Sequence, residues 1–235
     1  MIRFQQLQLF EEDLILTSHE TPEDAMELLA ELRRRGAVIG TDEAGTGALA
    51  GPMSAAAVSL TRRQERELLS AGLKDSKKLK AQEREDLFAY MNELGVTWKM
   101  KFGSVRKIEQ ENILRTALWS MAQCVQKIRP EIKGEIACVI VDGSRRIPEL
   151  DELPDDRRLL QWVLVKADAL IPEVSAASVV AKVLRDRLML TLDQIYPGYN
   201  LAHNKGYPTK DHRAAILEKG LCAIHRKSFC KKIGL

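Results

Sequence analysis

Short apolar runs rich in β-branched and small residues recur along the chain, separated by polar stretches of helical periodicity. Such runs predict β-strands. We expect strands near residues 37–42, 53–59, 96–103, 136–141 and 161–166. Because helical stretches alternate with these runs, the pattern favours an α/β fold in which helices flank a central sheet.

Helix start and stop signals divide the remaining sequence. The segment 21–24 (TPED) carries start signals for an amphipathic helix, and Gly36 supplies its stop signal. Further helices are expected over 80–94, over 110–129, over 173–195, and between Pro208 and Gly220. We therefore expect an N-terminal extension, residues 1–36, with one amphipathic helix. An α/β domain, residues 37–235, would follow and end in a basic helical segment.

Three of the predicted strands end in carboxylates. Asp42 and Glu43 follow the apolar run at 37–41. Asp142 follows the run at 136–141, and Asp168 lies two residues beyond the run at 161–166. Any single acid after a strand is more often a turn residue, because an unpaired buried carboxylate is costly. Open α/β sheets place their sites at strand ends, so three such endings favour one shared site.

Asp42 and Glu43 can serve one site only with a special backbone, since neighbouring side chains in a strand point to opposite faces. We expect the chain to bend here, with freedom supplied by Gly40, Gly45 and Gly47. Four carboxylates without organised cysteine or histidine partners suit magnesium or manganese rather than zinc. They can hold two such ions for displacement at phosphorus. For Asp42 and Glu43 alone, a solvated acidic turn is the alternative.

The charge distribution favours a nucleic-acid backbone as partner. The formal net charge of the 235-residue chain is only +3, but residues 204–232 hold eight basic against two acidic groups. The stretch KDSKKLK (74–80) adds a second basic patch. Phosphate contacts of this kind would read no base sequence. Ordinary solvated helix faces would produce the same charge pattern, so this alternative stays open.

The apolar runs, the cysteines and the histidines indicate where the protein acts and which kinds of site it lacks. No run of 18 apolar residues and no signal peptide is present, which predicts a cytoplasmic protein without a membrane partner. Its four cysteines form no CxxC pair and are expected to be free thiols. His203, His212 and His225 match no zinc motif, and we expect them at the surface or facing nucleic acid.

Six ordered blocks of the sequence resemble the type 2 ribonucleases H, specifically the bacterial ribonuclease HII family, over roughly residues 37–230. The blocks are GTDEAGTGALAGP (40–52), GLKDSKKL (72–79), VIVDGS (139–144), KADALIPEVSAASVVAKVLRD (166–186), YPGYNLAHNKGYPTKDH (196–212) and IHRKSF (224–229). The resemblance implies a ribonuclease H-like mixed central sheet flanked by helices, with a C-terminal helical segment. It also implies a metal-dependent endonuclease of replication and repair. Such an enzyme hydrolyses the RNA strand of RNA–DNA hybrids and incises 5′ of ribonucleotides embedded in duplex DNA, leaving 3′-hydroxyl and 5′-phosphate ends.

The same resemblance assigns roles to individual residues. The catalytic metal ligands, for two Mg²⁺ or Mn²⁺ ions, would be Asp42, Glu43, Asp142 and Asp168. The backbone of Gly45, Thr46 and Gly47 would meet the 2′-hydroxyl of the ribonucleotide, and Tyr207 would lie against the next sugar. The other implied substrate-binding residues are Lys77, Ser178, Lys182 and Arg185. The last three share one helical face, which could otherwise simply face solvent.

Thr46 departs from the family pattern, which ordinarily has arginine at the middle of the glycine triplet. The related ribonuclease HIII family shows GTG-like triplets, yet ALAGP (48–52) and Asp168 agree with ribonuclease HII. The missing guanidinium predicts weaker cutting at single embedded ribonucleotides. Three alternatives stay open: an HIII-like enzyme acting mainly on continuous hybrids, a non-catalytic nucleic-acid-binding protein, and a magnesium-dependent hydrolase of small phosphate esters.

The extreme N-terminus holds a second candidate site. The segment QLQLF, which contains Gln6, Leu7, Leu9 and Phe10, resembles the QLxLF peptide by which bacterial repair proteins dock on the DNA sliding clamp. Leucine and phenylalanine anchors on an extended terminal segment could fill an apolar pocket of a partner. The alternative is that these apolar side chains pack on their own domain.

Overall fold

One mixed sheet of six strands lies at the centre of the part of the chain that is described, and the predicted α/β class is confirmed. The computed structural model describes residues 15–17, 22–154, 158–232 and 234. The strands are β1 (Ile15–Thr17), β2 (Ala37–Ala44), β3 (Met53–Ser59), β4 (Thr97–Gly103), β5 (Ile136–Asp142) and β6 (Gln161–Leu164). Their order in the sheet is β1-β6-β5-β2-β3-β4. The first four in this order run parallel, and β3 and β4 join antiparallel.

Helices cover both faces of the sheet. They are α1 (Pro22–Arg35), α2 (Arg62–Ser70), α3 (Ala81–Glu93), α4 (Val105–Glu111), α5 (Ile113–Ile128), α6 (Pro148–Asp151), α7 (Pro172–Ile195), α8 (Leu201–Asn204), α9 (Lys210–Lys219) and α10 (Lys227–Lys232). Side chains alternate between the faces along each strand. Odd-numbered strand residues such as Ile39 and Val139 pack with α5, which defines the α5 face. Even-numbered residues such as Val38 and Val58 pack with α1, α3 and α7, which defines the α7 face.

The predicted helix over 110–129 is wrong in one respect, because Asn112 divides it into α4 and α5. Asn112 has φ 75, a left-handed conformation that ends α4. Its side chain also accepts a hydrogen bond from the Arg115 backbone N–H, so the same residue caps the start of α5. Asparagine tolerates the left-handed region better than most residues do. The sequence therefore held a break signal that helical periodicity alone did not show.

The helix α1 packs directly on the central sheet. Its Leu29 and Leu32 are buried with Val38. Arg33 donates from Nη1 to both carboxylate oxygens of Glu65 at 2.8 Å, and from Nε to Glu173 Oε1 at 3.0 Å. A largely buried ion triad thus joins α1, α2 and α7.

Two further expectations concern the N-terminal QLQLF segment and the absence of a membrane-spanning helix. The QLQLF segment at 6–10 lies outside the described residues. Of the helices in the described ranges, none combines the length and apolarity needed to cross a membrane.

Candidate active site

Three aspartates meet at the carboxyl edge of the parallel strands. Asp42, Asp142 and Asp168 each offer a carboxylate oxygen within 4.8 Å of the other two. Asp42 lies in β2, Asp142 is the last residue of β5, and Asp168 sits in a 3-10 turn directly after β6. Because β2, β5 and β6 are parallel, their carboxyl ends share one edge of the sheet. Even numbering places Asp42 and Asp142 on the α7 face together.

Hydrogen bonds hold each aspartate in place. Asp42 Oδ1 accepts from the Glu43 N–H, and Asp142 Oδ1 accepts from the Ala167 N–H, both at 2.7 Å. The main chain of Asp168 is fixed by Ser175, whose Oγ donates to the Asp168 carbonyl at 2.7 Å. The carboxylates of Asp42 and Asp142 are therefore positioned by backbone N–H groups, whereas Asp168 is positioned through its main chain.

Glu43 lies outside this tight trio, and the bend expected at Asp42 and Glu43, with freedom from Gly40, Gly45 and Gly47, does not occur within β2. The strand β2 continues through Asp42 and Glu43 to Ala44, so the two acids point to opposite faces. Gly40 instead allows close packing, because a Cβ there would lie 2.4 Å from the backbone of Glu173. Glu43 remains a neighbour of the trio, since the charges of Asp142 and Asp168 help to raise its pKa.

Burial and mutual repulsion make the site unfavourable for negative charge. Desolvation, then the charges of Glu43 and Asp142, raise the pKa of Asp42 well above its usual range, and a hydrogen bond from Ser178 opposes this shift. Desolvation first, and the neighbouring carboxylates second, raise the pKa of Glu43 to about 7. Desolvation and the charge of Asp168 raise the pKa of Asp142. Each shift means that the ionised form is held against an energetic cost.

Lys77 supplies positive charge to this cluster. Its Nζ donates to Asp168 Oδ2 at 2.9 Å, and this hydrogen bond raises the pKa of Lys77. The Lys77 side chain is nevertheless 71% exposed, so it reaches the cluster from solvent. One exposed ammonium against four carboxylates leaves a surplus of negative charge. Hard oxygen ligands with such a surplus fit a divalent cation such as Mg²⁺ or Mn²⁺.

The glycine triplet follows β2 and lies beside the trio. Gly45 has φ +84, and a Cβ there would come within 1.9 Å of Arg185 Nε. Gly47 has open space around its Cβ position and is exposed. Gly45 thus meets a requirement of the fold, whereas Gly47 leaves room for an incoming molecule.

Two buried arginines hold the carbonyl groups of this loop. Arg185 Nε donates to the Pro52 carbonyl at 3.0 Å, and its guanidinium carbon lies 5.4 Å from the centre of the Tyr207 ring. Arg226 donates from Nη1 to the Thr46 carbonyl and from Nε to the Gly51 carbonyl, both at 3.0 Å. Each guanidinium also has one buried nitrogen without a hydrogen-bond partner among the described residues. Hydrogen bonds therefore fix the loop after Asp42 to Arg185 of α7 and to Arg226 of the C-terminal segment.

The expected shared face of Ser178, Lys182 and Arg185 lies against protein rather than solvent. Ser178 Oγ is 2.7 Å from Ser76 Oγ, and Arg185 is fully buried. Lys182 is half-buried and lies 3.4 Å from Asp186. The structure thus gathers Lys77, Ser178, Arg185 and Tyr207 around the trio and the triplet, while the Lys182 ammonium is directed to Asp186. Arg226 lies in the block IHRKSF, but no sequence pattern indicated its burial or its contacts with the loop.

The expectation of surface histidines is wrong for His212 and His225, and holds only for the exposed His203. His212 Nε2 and His225 Nε2 are 3.2 Å apart, and His212 Nδ1 is 2.9 Å from the Tyr207 carbonyl. Since that carbonyl can only accept, His212 carries its proton on Nδ1 and accepts from His225. His225 Nδ1 then accepts from the Cys222 N–H at 2.9 Å. A chain of three hydrogen bonds, with one tautomer fixed at each histidine, thus links the Cys222 N–H to the Tyr207 carbonyl.

Comparison with known proteins gives one family. The family model described as Ribonuclease HII matches residues 39–232. A Ribonuclease HII of Moorella thermoacetica is 42% identical over 202 residues, which cover 84% of this chain and 89% of the relative. One of Halorhodospira halophila is 44% identical over 192 residues, covering 82% and 91%. A chain in the structure of the PCNA:RNase HII complex from Archaeoglobus fulgidus is 26% identical, with a TM-score of 0.65 over 84% of this chain and 95% of that chain.

Proposed function

Because this chain belongs to the ribonuclease HII family, and so is an endoribonuclease with the ribonuclease H-like fold, we propose which phosphodiesters it cuts and how. It hydrolyses the RNA strand of RNA–DNA hybrids and incises 5′ of ribonucleotides embedded in duplex DNA. The products carry a 3′-hydroxyl and a 5′-phosphate. One observation carries this proposal: the strand that brings Asp42 to the aspartate trio runs directly into a glycine triplet whose Gly47 is exposed, so that the triplet backbone can meet a 2′-hydroxyl. Since these substrates are chromosomal, the cytoplasm of a bacterial cell is the proposed place of action.

The proposed metal ligands are the trio Asp42, Asp142 and Asp168, with the neighbouring Glu43 as the fourth carboxylate, and together they would hold two Mg²⁺ or Mn²⁺ ions. When bound, the ions supply a nucleophile at neutral pH and charge stabilisation for the leaving 3′-oxygen. The aspartates are positioned by backbone hydrogen bonds, so little reorganisation is needed at the moment of reaction. Lys77 balances part of their charge. Because its side chain is largely exposed, it can turn to a substrate phosphate when a metal ion replaces its ammonium group beside Asp168.

The proposed ribonucleotide contacts come from the opposite side of the site. The triplet backbone at Gly45 and Gly47 would meet the 2′-hydroxyl, and the half-buried Tyr207 would lie against the next sugar. The Tyr207 ring is supported by the Arg185 guanidinium, and its carbonyl by His212. A deoxyribose lacks the hydroxyl that the triplet can bind, which would restrict cutting to the ribonucleotide.

The decisive experiment compares two labelled substrates: a DNA duplex with one embedded ribonucleotide and a continuous RNA–DNA hybrid. We expect both to be cut with Mg²⁺ or Mn²⁺ and neither with EDTA, with 3′-hydroxyl ends on the upstream fragments. Equal binding of hybrids in EDTA with no cutting under any metal would indicate a non-catalytic binding protein. Hydrolysis of small phosphate esters without cutting of either duplex would indicate the small-ester hydrolase.

A sliding clamp is the proposed protein partner. The segment with Gln6, Leu7, Leu9 and Phe10 would dock on it as an extended peptide. The complex with PCNA formed by a ribonuclease HII relative supports a clamp partner for this family. A calorimetric titration against the clamp should show binding by the intact protein and none by a Leu9→Ala/Phe10→Ala variant. Absence of binding by the intact protein would exclude this partner.

A further inference from the structure

A second basic surface lies at the open edge of the sheet, away from the basic segments noted in the sequence. Residues 97–133, which span β4, α4 and α5, hold eight basic and three acidic groups. The part of this surface that we name the edge patch consists of Lys101, Arg106, Lys107, Arg115 and Trp119. Each of these side chains is exposed or half-exposed. The strand β4 ends the sheet, so no further strand of the described residues covers this side.

Trp119 organises the cations of the edge patch. The Lys107 Nζ lies 4.2 Å and the Lys101 Nζ 5.3 Å from the centre of the Trp119 ring. Such contacts hold ammonium groups in place over an aromatic ring. Because the ammonium groups occupy the ring, Trp119 is a platform for cations and is not free to stack on a nucleobase. Ordered cations of this kind match the phosphates of a nucleic-acid backbone.

The acidic groups in residues 97–133 leave most of this positive charge available. Glu131 pairs with Lys99, and Glu111 pairs with Lys107 at 2.6 Å. Glu109 is turned away from the patch, because it accepts hydrogen bonds from the backbone and the hydroxyl of Ser228. Lys101, Arg106 and Arg115 therefore keep net positive charge at the edge.

The edge patch is continuous with the rim of the active site. In the sheet register, Glu43 is opposite Ala55 and Ala55 is opposite Lys101, so the two charged residues are two strands, or roughly 10 Å, apart. Both lie on the α5 face. The helix α5 covers Ala55, so a ligand spanning this distance must cross the top of the helix. There α4 carries Arg106 and Lys107.

We propose that the edge patch binds the phosphate backbone of the substrate duplex at a distance from the cut bond, with Lys101 and Arg106 as the main contacts. This inference rests on the proposed function, because it extends the path of the same duplex. A contact with phosphate alone reads neither the base nor the sugar, so hybrid and ribonucleotide-containing DNA would use the patch equally. Only duplexes long enough to pass over α4 would reach it.

The test measures the salt dependence of binding to a continuous hybrid in EDTA, where no cutting occurs. The double variant Lys101→Gln/Arg106→Gln removes two charges of the edge patch and keeps much of the side-chain length. The slope of log Kd against log salt should fall in magnitude by about 1.8, or about 0.9 for each phosphate that a basic side chain no longer neutralises. The control variant Arg63→Gln/Arg66→Gln makes the same charge change on the exposed side of α2, across the sheet, and should leave the slope unchanged.

Two further measurements sharpen the result. A hybrid too short to extend beyond the carboxylate site should bind the wild type and the double variant equally. Trp119→Leu keeps Lys101 and Lys107 but removes the ring that holds them, and should weaken binding of the long hybrid roughly 2- to 5-fold. An unchanged slope in the double variant, or an equal fall in the control, would overturn the edge patch while cleavage by the wild type stands. A wild type that neither binds nor cuts hybrids would instead overturn the proposed function.

Discussion

The two sides of the candidate active site are built in opposite ways. On one side, the side chains of Asp42, Asp142 and Asp168 converge, and burial and repulsion make their charges unfavourable. On the other side, the loop after β2 presents backbone groups, and buried guanidinium groups of Arg185 and Arg226 satisfy its carbonyls. The first side is the one at which we propose a metal ligand, whereas the second makes most of its hydrogen bonds within the folded protein.

This difference separates function from stability within a few residues. Groups held against repulsion should be dispensable for folding and essential for activity. Groups that close hydrogen bonds inside the fold should affect both. Substitutions on the two sides therefore have different signatures, and four of them test the contrast.

The largest expected effect is on the carboxylate side. Asp142→Asn should lower kcat by on the order of 10³ or more, because it removes a ligand charge from the proposed metal site. The free energy of unfolding in EDTA should stay the same or rise, since the ionised Asp142 is disfavoured by its neighbours and an amide oxygen can still accept from Ala167 N–H. Single-turnover cleavage and urea unfolding measure the two quantities. Near wild-type turnover would show that Asp142 is not a ligand.

On the loop side, Gly45→Ala should reduce stability as well as activity. The new Cβ would overlap Arg185 Nε in a left-handed backbone, and we expect a loss of roughly 2–3 kcal/mol in the free energy of unfolding. Gly47→Ala is the matched control. It has space for a Cβ and should keep its melting temperature while raising KM, because the methyl group enters the space proposed for the ribose. Equal destabilisation by both substitutions would remove the distinction between the two glycines.

The histidine pair behind Tyr207 should give the loop side a pH dependence of its own. Burial, then the neighbouring His212, lowers the pKa of His225 to about 4, below the value of about 6.5 expected in the unfolded chain. The unfolded state therefore binds more protons, and stability should fall as the pH drops from about 6.5 towards 4. We expect a contribution on the order of 1–2 kcal/mol after allowance for solvent screening.

Urea unfolding at several pH values checks this effect. The variant His225→Gln should show a smaller fall in stability over this pH range than the wild type. The exposed His203 offers the control, and His203→Gln should reproduce the wild-type slope. A wild-type slope in His225→Gln would mean that the buried pair does not titrate in this range.

The smallest expected effect concerns substrate preference. Thr46→Arg restores the arginine common in the family, and a charge-assisted phosphate contact would raise kcat/KM on single embedded ribonucleotides by about 10-fold. The gain on continuous hybrids should be smaller, because neighbouring contacts already compensate there. The ratio of the two kcat/KM values is the measurement. An unchanged ratio would show that Thr46 is a neutral replacement.

The carboxylate side could be anticipated from the sequence because its cause is local. An apolar run followed by an acid marks a strand end, and parallel strands bring their ends together. What the sequence did not show is how far β2 extends. Its pairing with β3 carries the strand through Glu43 and so separates the adjacent acids.

The loop side could not be anticipated because its causes are distant in sequence. Arg226 reaches a carbonyl 180 residues earlier, and the His212–His225 contact joins two segments that carry no shared pattern. Arginine is rarely buried, so the sequence did not lead us to expect internal positions for Arg185 in its helix or Arg226 in the basic C-terminal segment. Only the three-dimensional packing shows that their guanidinium groups are internal.

The ion triad of Arg33, Glu65 and Glu173 has a consequence for the order in which the chain acquires its structure. Arg33 and Glu173 are 140 positions apart, so α1 leaves the ribosome long before its partner on α7. Glu173 is fully buried, and burial raises its pKa, so α7 docks favourably only when Arg33 is in place. We therefore expect α1 to be secured only when α7 reaches it, although α1 is synthesised well before α7. We expect the ion triad to form when α7 docks. That helix also carries Ser175, whose hydroxyl holds the Asp168 carbonyl.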